Sequence, residues 1–202
     1  MTLSIFYCII IGKKGDDDDM INEILKHNKE FLKNKGYLKF CTDKYPNRKT
    51  AIISCMDTRL TYLLPAALGF KNGDVKIIKN AGAQITSDYG STMKSLIIAI
   101  YELGVSEILV IGHDDCGVQL LDGEEMIQKM IERGIDKAEI ERINNEECNL
   151  EHWLSGFHDI DRSVNSTVRH IRANKLIPKD VNIIGLIIDP VTGELRFTKS
   201  DE

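Results

Sequence analysis

The 202-residue chain lacks several features that would place it in common functional classes. It has no run of about 18 or more apolar residues, so the sequence predicts no transmembrane helix and no membrane partner. Lys and Arg number 26 against 31 Asp and Glu, and this acidic balance argues against a nucleic-acid partner, which usually requires a basic face. Internal repeats and low-complexity linkers are absent as well. The chain is 43% hydrophobic and 28% charged, a composition that suits a globular protein with a sizeable core.

Cysteine is sparse, and its distribution argues against a disulfide scaffold. An odd number of cysteines is scattered along the chain, at Cys8, Cys41, Cys55, Cys116 and Cys148. The apolar stretch 3–11 has no basic residue before it and no small-residue cleavage site after it, so it does not resemble a secretory signal. Together these features predict a cytoplasmic protein whose thiols are free.

The start of the chain differs from the rest. Helical periodicity begins at Met20, after four consecutive aspartates that repel one another. We interpret residues 1–19 as an N-terminal extension, irregular or tag-like, with an ordered strand over residues 3–11 as the alternative. Residues 20–202 are predicted to form a single domain.

Short apolar runs alternate with helical patterns through most of the chain. Strands are predicted over residues 49–55, 74–82 and 106–113, with two more inside 180–200, and helices lie between them, for example over 90–104 and 158–178. This alternation predicts an α/β fold, with a mostly parallel central sheet flanked by helices and a short C-terminal strand. In such sheets ligands bind beyond the carboxyl ends of the strands, where the strand order reverses.

Two of the predicted strands end in residues that can bind metal. The run 49–55 ends at Cys55, and the run 106–113 ends at His113, which Cys116 follows closely. Two thiolates and one imidazole favour zinc over the harder ions magnesium and calcium. Three protein ligands leave the fourth tetrahedral position open, and an open position is typical of a catalytic site.

The fourth position admits alternatives. A further ligand would make the site structural, and the sequence offers Cys41, Cys148, His152 and His158. Asp57 and Arg59 favour catalysis, because a carboxylate can orient a water molecule on the metal and an arginine can keep that carboxylate ionised. Asp57 is also able to bind the metal and close the site. In an extended strand, side chains point to opposite faces in turn. If the strand continues beyond Cys55, the side chains of Cys55, Asp57 and Arg59 therefore point to the same face.

The motifs "CMDTR" (55–59) and "HDDC" (113–116) are separated by 58 residues, counted from Cys55 to His113. As a pair they resemble the signature of the beta-class carbonic anhydrases, in particular the short, archaeal-like branch. Further matches are "KNAGA" (79–83), "YELGVSEILVIGH" (101–113) and "IPKDVNIIGLIIDPVTGEL" (177–195). The resemblance extends over roughly residues 20–200, most of the chain.

The resemblance implies a zinc lyase that reversibly hydrates carbon dioxide to bicarbonate and a proton by means of zinc-bound hydroxide. It implies one Zn²⁺ per chain on Cys55, His113 and Cys116. Asp57 and Arg59 match the catalytic pair, and Asp57 becomes the fourth ligand in a closed state. Members of the family are dimers or higher assemblies, so a homodimer or higher homo-oligomer is expected.

Two other functions stay open at this point. One is hydrolysis of carbon disulfide or carbonyl sulfide on the same zinc site, and the other is a non-catalytic module that senses zinc or bicarbonate. The acidic pair Asp114 and Asp115 adds negative charge beside the ligands, which is expected to raise the pKa of a bound water or to slow bicarbonate release. Gly117, directly after Cys116, is expected to allow a close approach of the chain to the site.

Overall fold

A computed structural model of the protein describes residues 17–200, which fall into two compact units that meet in sequence at Thr42 and Asp43. The first unit contains helix α1 (Asp17–Lys33) and a 3₁₀ turn (Gly36–Phe40). Helix α1 begins before Met20, so residues 17–19, which the sequence pattern places in the extension, are helical. Acidic residues are favourable in a first helical turn because of the helix dipole. The strand considered for residues 3–11 lies outside the described residues, and the domain boundaries at 19 and 20 stay predictions.

The second unit is built on a five-stranded sheet. Its strands are β1 (Thr50–Cys55), β2 (Val75–Asn80), β3 (Glu107–His113), β4 (Asn182–Ile188) and β5 (Leu195–Phe197). Their order across the sheet is β2-β1-β3-β4-β5; β5 is antiparallel to β4 and the other pairs are parallel. The predicted α/β fold with a short C-terminal strand is confirmed.

Helices connect the parallel strands, as the alternating sequence pattern predicts. They are α2 (Leu60–Ala67), α3 (Ser91–Tyr101), α4 (Gly123–Glu132), α5 (Lys137–Glu146), α6 (Leu150–Leu154) and α7 (Ile160–Ala173). Helix α2 joins β1 to β2, α3 joins β2 to β3, and the other four lie between β3 and β4. Within residues 17–200, no helix combines the length and the apolar character needed to cross a membrane.

The core centres on β1 and β3. All six residues of β1 are buried, as expected for a strand that is covered on both faces of a parallel sheet. Helix α7 packs on β3 at Gly112, where an added Cβ would lie 2.7 Å from Val164 Cγ2 and 2.8 Å from Ile160 Cδ1. No atom of the described residues lies within 4 Å of a Cβ added at Gly117, so the expected close approach at that residue is wrong. The close approach is at Gly112, directly before His113.

Candidate metal centre

The sheet reverses its strand order at β1, and this reversal positions the candidate site. Strand β2 lies on one side of β1 and β3 lies on the other. Cys55 is the last residue of β1 and His113 is the last residue of β3. Both side chains therefore emerge at the carboxyl edge of adjacent parallel strands, where the strand-order rule places ligand sites.

A tight turn after β3 brings Cys116 back toward Cys55. The main-chain N–H of Asp114 donates to the carbonyl oxygen of Ile188 at 3.2 Å, which extends the pairing of β3 with β4 by one residue. Asp115 then adopts a left-handed conformation with φ of 52°, which aspartate tolerates better than most residues. The Sγ atoms of Cys55 and Cys116 consequently lie 3.8 Å apart, and both residues are buried.

His113 presents one particular ring nitrogen to the two thiols. Its Nδ1 lies 2.8 Å from the carbonyl oxygen of Asp114, which can only accept a hydrogen bond, so Nδ1 carries the proton. The Nε2 atom is fully buried and has no hydrogen-bond partner among residues 17–200. Ligand atoms of Cys55, His113 and Cys116 all lie within 4.8 Å of one another.

This donor set fits a zinc ion. An unpaired imidazole nitrogen that is buried next to two thiols costs free energy unless a cation fills the space between them. Two sulfurs and one nitrogen are the ligands that zinc accepts readily. Among residues 43–200, the group contains no further histidine or cysteine, so Cys148, His152 and His158 do not join it; Cys41 belongs to the other unit, and its candidacy stays a prediction.

The electrostatics of the three groups are linked. Burial alone would raise the pKa of Cys55, but the neighbouring imidazole of His113 and nearby main-chain groups lower it below its ordinary value. Burial raises the pKa of Cys116, and the neighbouring Cys55 raises it further. Burial acts to lower the pKa of His113, whereas the adjacent Cys55 thiol and the hydrogen bond from Nδ1 to the carbonyl oxygen of Asp114 raise it overall. One thiolate therefore forms easily and the second needs added positive charge, which a metal cation would provide.

Asp57 and Arg59 form a close ion pair next to these groups. Arg59 Nε donates to Asp57 Oδ1 at 3.0 Å, and its Nη2 donates to Oδ2 at 2.8 Å. The main-chain N–H of Arg59 also donates to Oδ1 at 2.8 Å. The hydrogen bonds from the Arg59 side chain outweigh burial and lower the pKa of Asp57 to about 2, so its carboxylate is ionised at neutral pH. Asp57 Oδ2 lies 3.8 Å from His113 Nε2.

The expectation that an extended chain places Cys55, Asp57 and Arg59 on one side is wrong. Strand β1 ends at Cys55, and Arg59 has the helical dihedral angles φ −60° and ψ −29° at the start of α2. Asp57 and Arg59 meet because the chain turns, and the carboxylate of Asp57 accepts the main-chain N–H two residues later.

Each member of the acidic pair has an arginine partner. Asp115 accepts from Arg59 Nη1 at 2.9 Å through its carboxylate and from Nη2 at 2.8 Å through its carbonyl oxygen. Asp114 lies 3.5 Å from Arg196 Nη2. Arg59 is shared with Asp57 and Arg196 is shared with Asp161, so the two cations offset only part of the negative charge that the sequence places beside the ligands.

Two contacts at this site were not apparent from the sequence pattern. One is the pairing of Asp115 with Arg59. The other involves Lys79, whose Nζ donates to the carbonyl oxygen of Cys55 at 3.1 Å and so supports the end of β1. The available signal was the motif "KNAGA", which begins at Lys79 and follows the strand that pairs with β1.

Comparison with known proteins gives a consistent result. A family model described as carbonic anhydrase matches residues 50–195. YvdA of Bacillus subtilis, which carries a provisional name as a carbonic anhydrase, is 43% identical over 87% of this chain and 89% of its own length. The crystal structure of beta-carbonic anhydrase isoform I from Trichomonas vaginalis has a TM-score of 0.79 and 33% identity, over 90% of this chain and 98% of that chain. A carbon disulfide hydrolase of Acidianus sp. is 31% identical over 74% of this chain and 77% of its own length.

Proposed function

Because the chain belongs to the beta-class carbonic anhydrase family, we propose that it catalyses the reversible hydration of carbon dioxide to bicarbonate and a proton. Cys55, His113 and Cys116 would hold one Zn²⁺ per chain. The observation that carries the proposal is the buried Nε2 of His113, which faces two thiols and has no hydrogen-bond partner in the described part of the chain. An imidazole nitrogen in that position is poised to bind a metal, and the chemistry of the three donors selects zinc.

A zinc ion held by Cys55, His113 and Cys116 would supply a Lewis acid that lowers the pKa of water. Asp57 would accept a hydrogen bond from the attacking water molecule and orient it toward carbon dioxide, because an ionised carboxylate can only accept. Arg59 keeps Asp57 ionised and fixes the plane of its carboxylate by donating to both oxygens.

Asp57 has a second role in this proposal, as the fourth ligand of a closed state. Its Oδ2 lies 3.8 Å from His113 Nε2, so the carboxylate is close to the donor group while it is paired with Arg59. The site would be active while Asp57 pairs with Arg59. It would become inactive when Asp57 leaves Arg59 and binds the metal.

The competing functions use the same residues and differ in substrate. Hydrolysis of carbon disulfide is the alternative favoured by the similarity to the Acidianus enzyme. A zinc or bicarbonate sensor would keep Asp57 on the metal permanently and would have no activity at any pH.

Stopped-flow measurement of carbon dioxide hydration between pH 6.5 and pH 9 tests the proposal, with zinc content assayed on the same protein. We expect zinc-dependent activity that rises with pH and falls by about 10²-fold or more in Asp57→Ala. Sulfide release from carbon disulfide, without carbon dioxide hydration, would replace the proposal with the alternative hydrolase. Zinc-replete protein that is inactive with both substrates would identify a sensor.

We also propose that the chain assembles as a homodimer or higher homo-oligomer. Helix α1 exposes Met20, Ile21, Ile24 and Leu25, each between 50% and 55% accessible, and a second copy would cover such an apolar face. Size-exclusion chromatography with light scattering should give at least twice the mass of one chain. The mass of a single chain would contradict this assembly. The cytoplasmic location stays a prediction.

A further inference from the structure

The guanidinium of Arg59 lies between two carboxylates. One edge pairs with Asp57 through Nε and Nη2, and Nη1 pairs with Asp115 Oδ2 at 2.9 Å. Nη2 also reaches the carbonyl oxygen of Asp115 at 2.8 Å. Two residues from different parts of the chain therefore determine where this side chain points.

Without Asp115, only Asp57 would restrain Arg59. The side chain of Arg59 is 37% exposed, so water competes for its donors, and an exposed arginine retains much of its rotamer freedom. A second carboxylate at the far end of the guanidinium restricts that freedom. The Asp115 carboxylate thereby keeps the edge formed by Nε and Nη2 of Arg59 directed at Asp57, with which this edge makes two parallel hydrogen bonds.

Asp115 also belongs to the turn that connects His113 to Cys116. Its left-handed φ of 52° allows the carboxylate and the carbonyl oxygen of one residue to reach the same guanidinium. The turn that delivers two of the metal donors is thus tied directly to the arginine that holds Asp57.

We propose that Asp115 is a positioning residue that holds Arg59 against Asp57 and thereby keeps the Asp57 carboxylate off the metal. The inference rests on the proposed function and deepens it, because it assigns a residue to the balance between open and closed states. Loss of the Asp115 carboxylate releases one end of Arg59, weakens its grip on Asp57 and shifts Asp57 toward the metal donors.

Two substitutions at this position weaken or remove the side-chain contact with Arg59 without backbone strain, and both keep the main-chain carbonyl that accepts from Nη2. Asp115→Asn keeps an acceptor oxygen and removes the charge, whereas Asp115→Gly removes the whole side chain; asparagine and glycine both accept a positive φ. Asp114→Asn is the charge control, since it removes the same charge one residue away, where the side chain faces Arg196 instead.

The experiment loads each variant with Co²⁺ in place of zinc and records the visible absorption spectrum, which responds to the fourth ligand. We expect Asp115→Gly, and to a smaller extent Asp115→Asn, to change the spectrum in a way that Asp114→Asn does not. In an Asp57→Asn background the change should vanish, because the carboxylate that moves is no longer there. On the zinc proteins we expect kcat/KM for hydration to fall by about two- to fivefold in Asp115→Asn, the range for an exposed ion pair.

Spectra that are the same for the Asp115 and Asp114 variants would overturn the proposal, and so would a change that persists when Asp57 is replaced. The spectra decide this question even if the wild-type protein does not hydrate carbon dioxide. Failure of the proposed function is therefore distinguishable from failure of the role of Asp115.

Discussion

The hydrogen bond between His113 Nδ1 and the carbonyl oxygen of Asp114, 2.8 Å long, determines which nitrogen faces the two thiols. A carbonyl oxygen has no proton to give, so the ring must carry its proton on Nδ1 and keep a lone pair on Nε2. This contact is local in sequence, yet it depends on the pairing of Asp114 with β4 at Ile188. The sheet therefore orients the imidazole before any metal binds.

Removal of any one donor should abolish stable zinc binding. We expect Cys55→Ser, His113→Ala and Cys116→Ser each to weaken zinc affinity by more than the roughly 10–100-fold that loss of a hydrogen bond to a metal ligand costs. Zinc content after dialysis, measured by atomic absorption, checks this. Cys148→Ser is the matched control, because Cys148 is exposed and lies outside the donor group. Equal zinc in all four variants would rule out this site.

Removal of zinc should lower thermal stability. A ligand present at about 1,000 times its Kd stabilises the folded state by about 4 kcal/mol, which corresponds to a shift of about 10 °C in Tm for a chain of this size. Differential scanning calorimetry before and after treatment with a chelator measures the shift. In the Cys55→Ser/Cys116→Ser variant the chelator should have no effect on Tm. A shift of the same size in that variant would mean that the metal binds elsewhere.

The fold and the location of the donor group were predictable because their signals are local. Apolar runs mark the buried strands, and each donor motif directly follows such a run. The rule that ligands bind where strand order reverses then brings Cys55 and His113 to one edge of the sheet. The strand order itself agrees with that rule, since β1 lies between β2 and β3.

The contacts around Arg59 were not predictable from these signals. Alternation along an extended strand gave a wrong geometry for Asp57 and Arg59, because the strand ends at Cys55 and a turn follows. The partner of Arg59 is 56 residues away in sequence, and the contact depends on the left-handed φ of Asp115. Sequence patterns report burial and periodicity, whereas a contact of this kind depends on the dihedral angles of one turn.

A methyl group added at Gly112 should destabilise the protein. Its Cβ would lie less than 3 Å from side-chain atoms of Val164 and Ile160, so α7 would have to shift away from β3. We expect Gly112→Ala to lower the free energy of unfolding by about 1–3 kcal/mol in urea titrations. Gly117→Ala, which meets no atom within 4 Å, should change it by no more than about 0.5 kcal/mol.

Relief of the crowding tests the cause of that loss. In Gly112→Ala/Val164→Ala, removal of the Val164 methyl groups gives the added Cβ more room. The double variant should therefore lose less free energy of unfolding than the two single variants lose together. Strictly additive costs would show that the contact with Val164 is not what Gly112 protects.

Asp161 links α7 to the C-terminal strand. It accepts from Arg196 Nη1 at 2.8 Å and Nη2 at 3.1 Å, and from the main-chain N–H of Lys199 at 2.7 Å. The hydrogen bonds from Arg196 are the main reason why the pKa of Asp161 lies below its ordinary value. Because Arg196 is also the arginine beside Asp114, this pairing fixes the cation that faces the turn after β3.

Asp161→Asn should therefore destabilise the protein in a pH-dependent way. A carboxylate whose pKa is lowered by folding stabilises the native state fully above its unfolded pKa of about 4, and this contribution disappears as the pH falls through the lower native value. We expect a loss of about 1–2 kcal/mol at pH 7, since the arginine is partly exposed, and convergence of wild type and variant in acid. Urea titrations at pH 7 and in acid, below the native pKa of Asp161, measure this difference in the free energy of unfolding. Asp159→Asn is the control: Asp159 caps α7 by accepting from the N–H of Arg162, and asparagine caps equally well. A difference between the wild type and the Asp161→Asn variant that is the same at every pH would show that charge is not the cause.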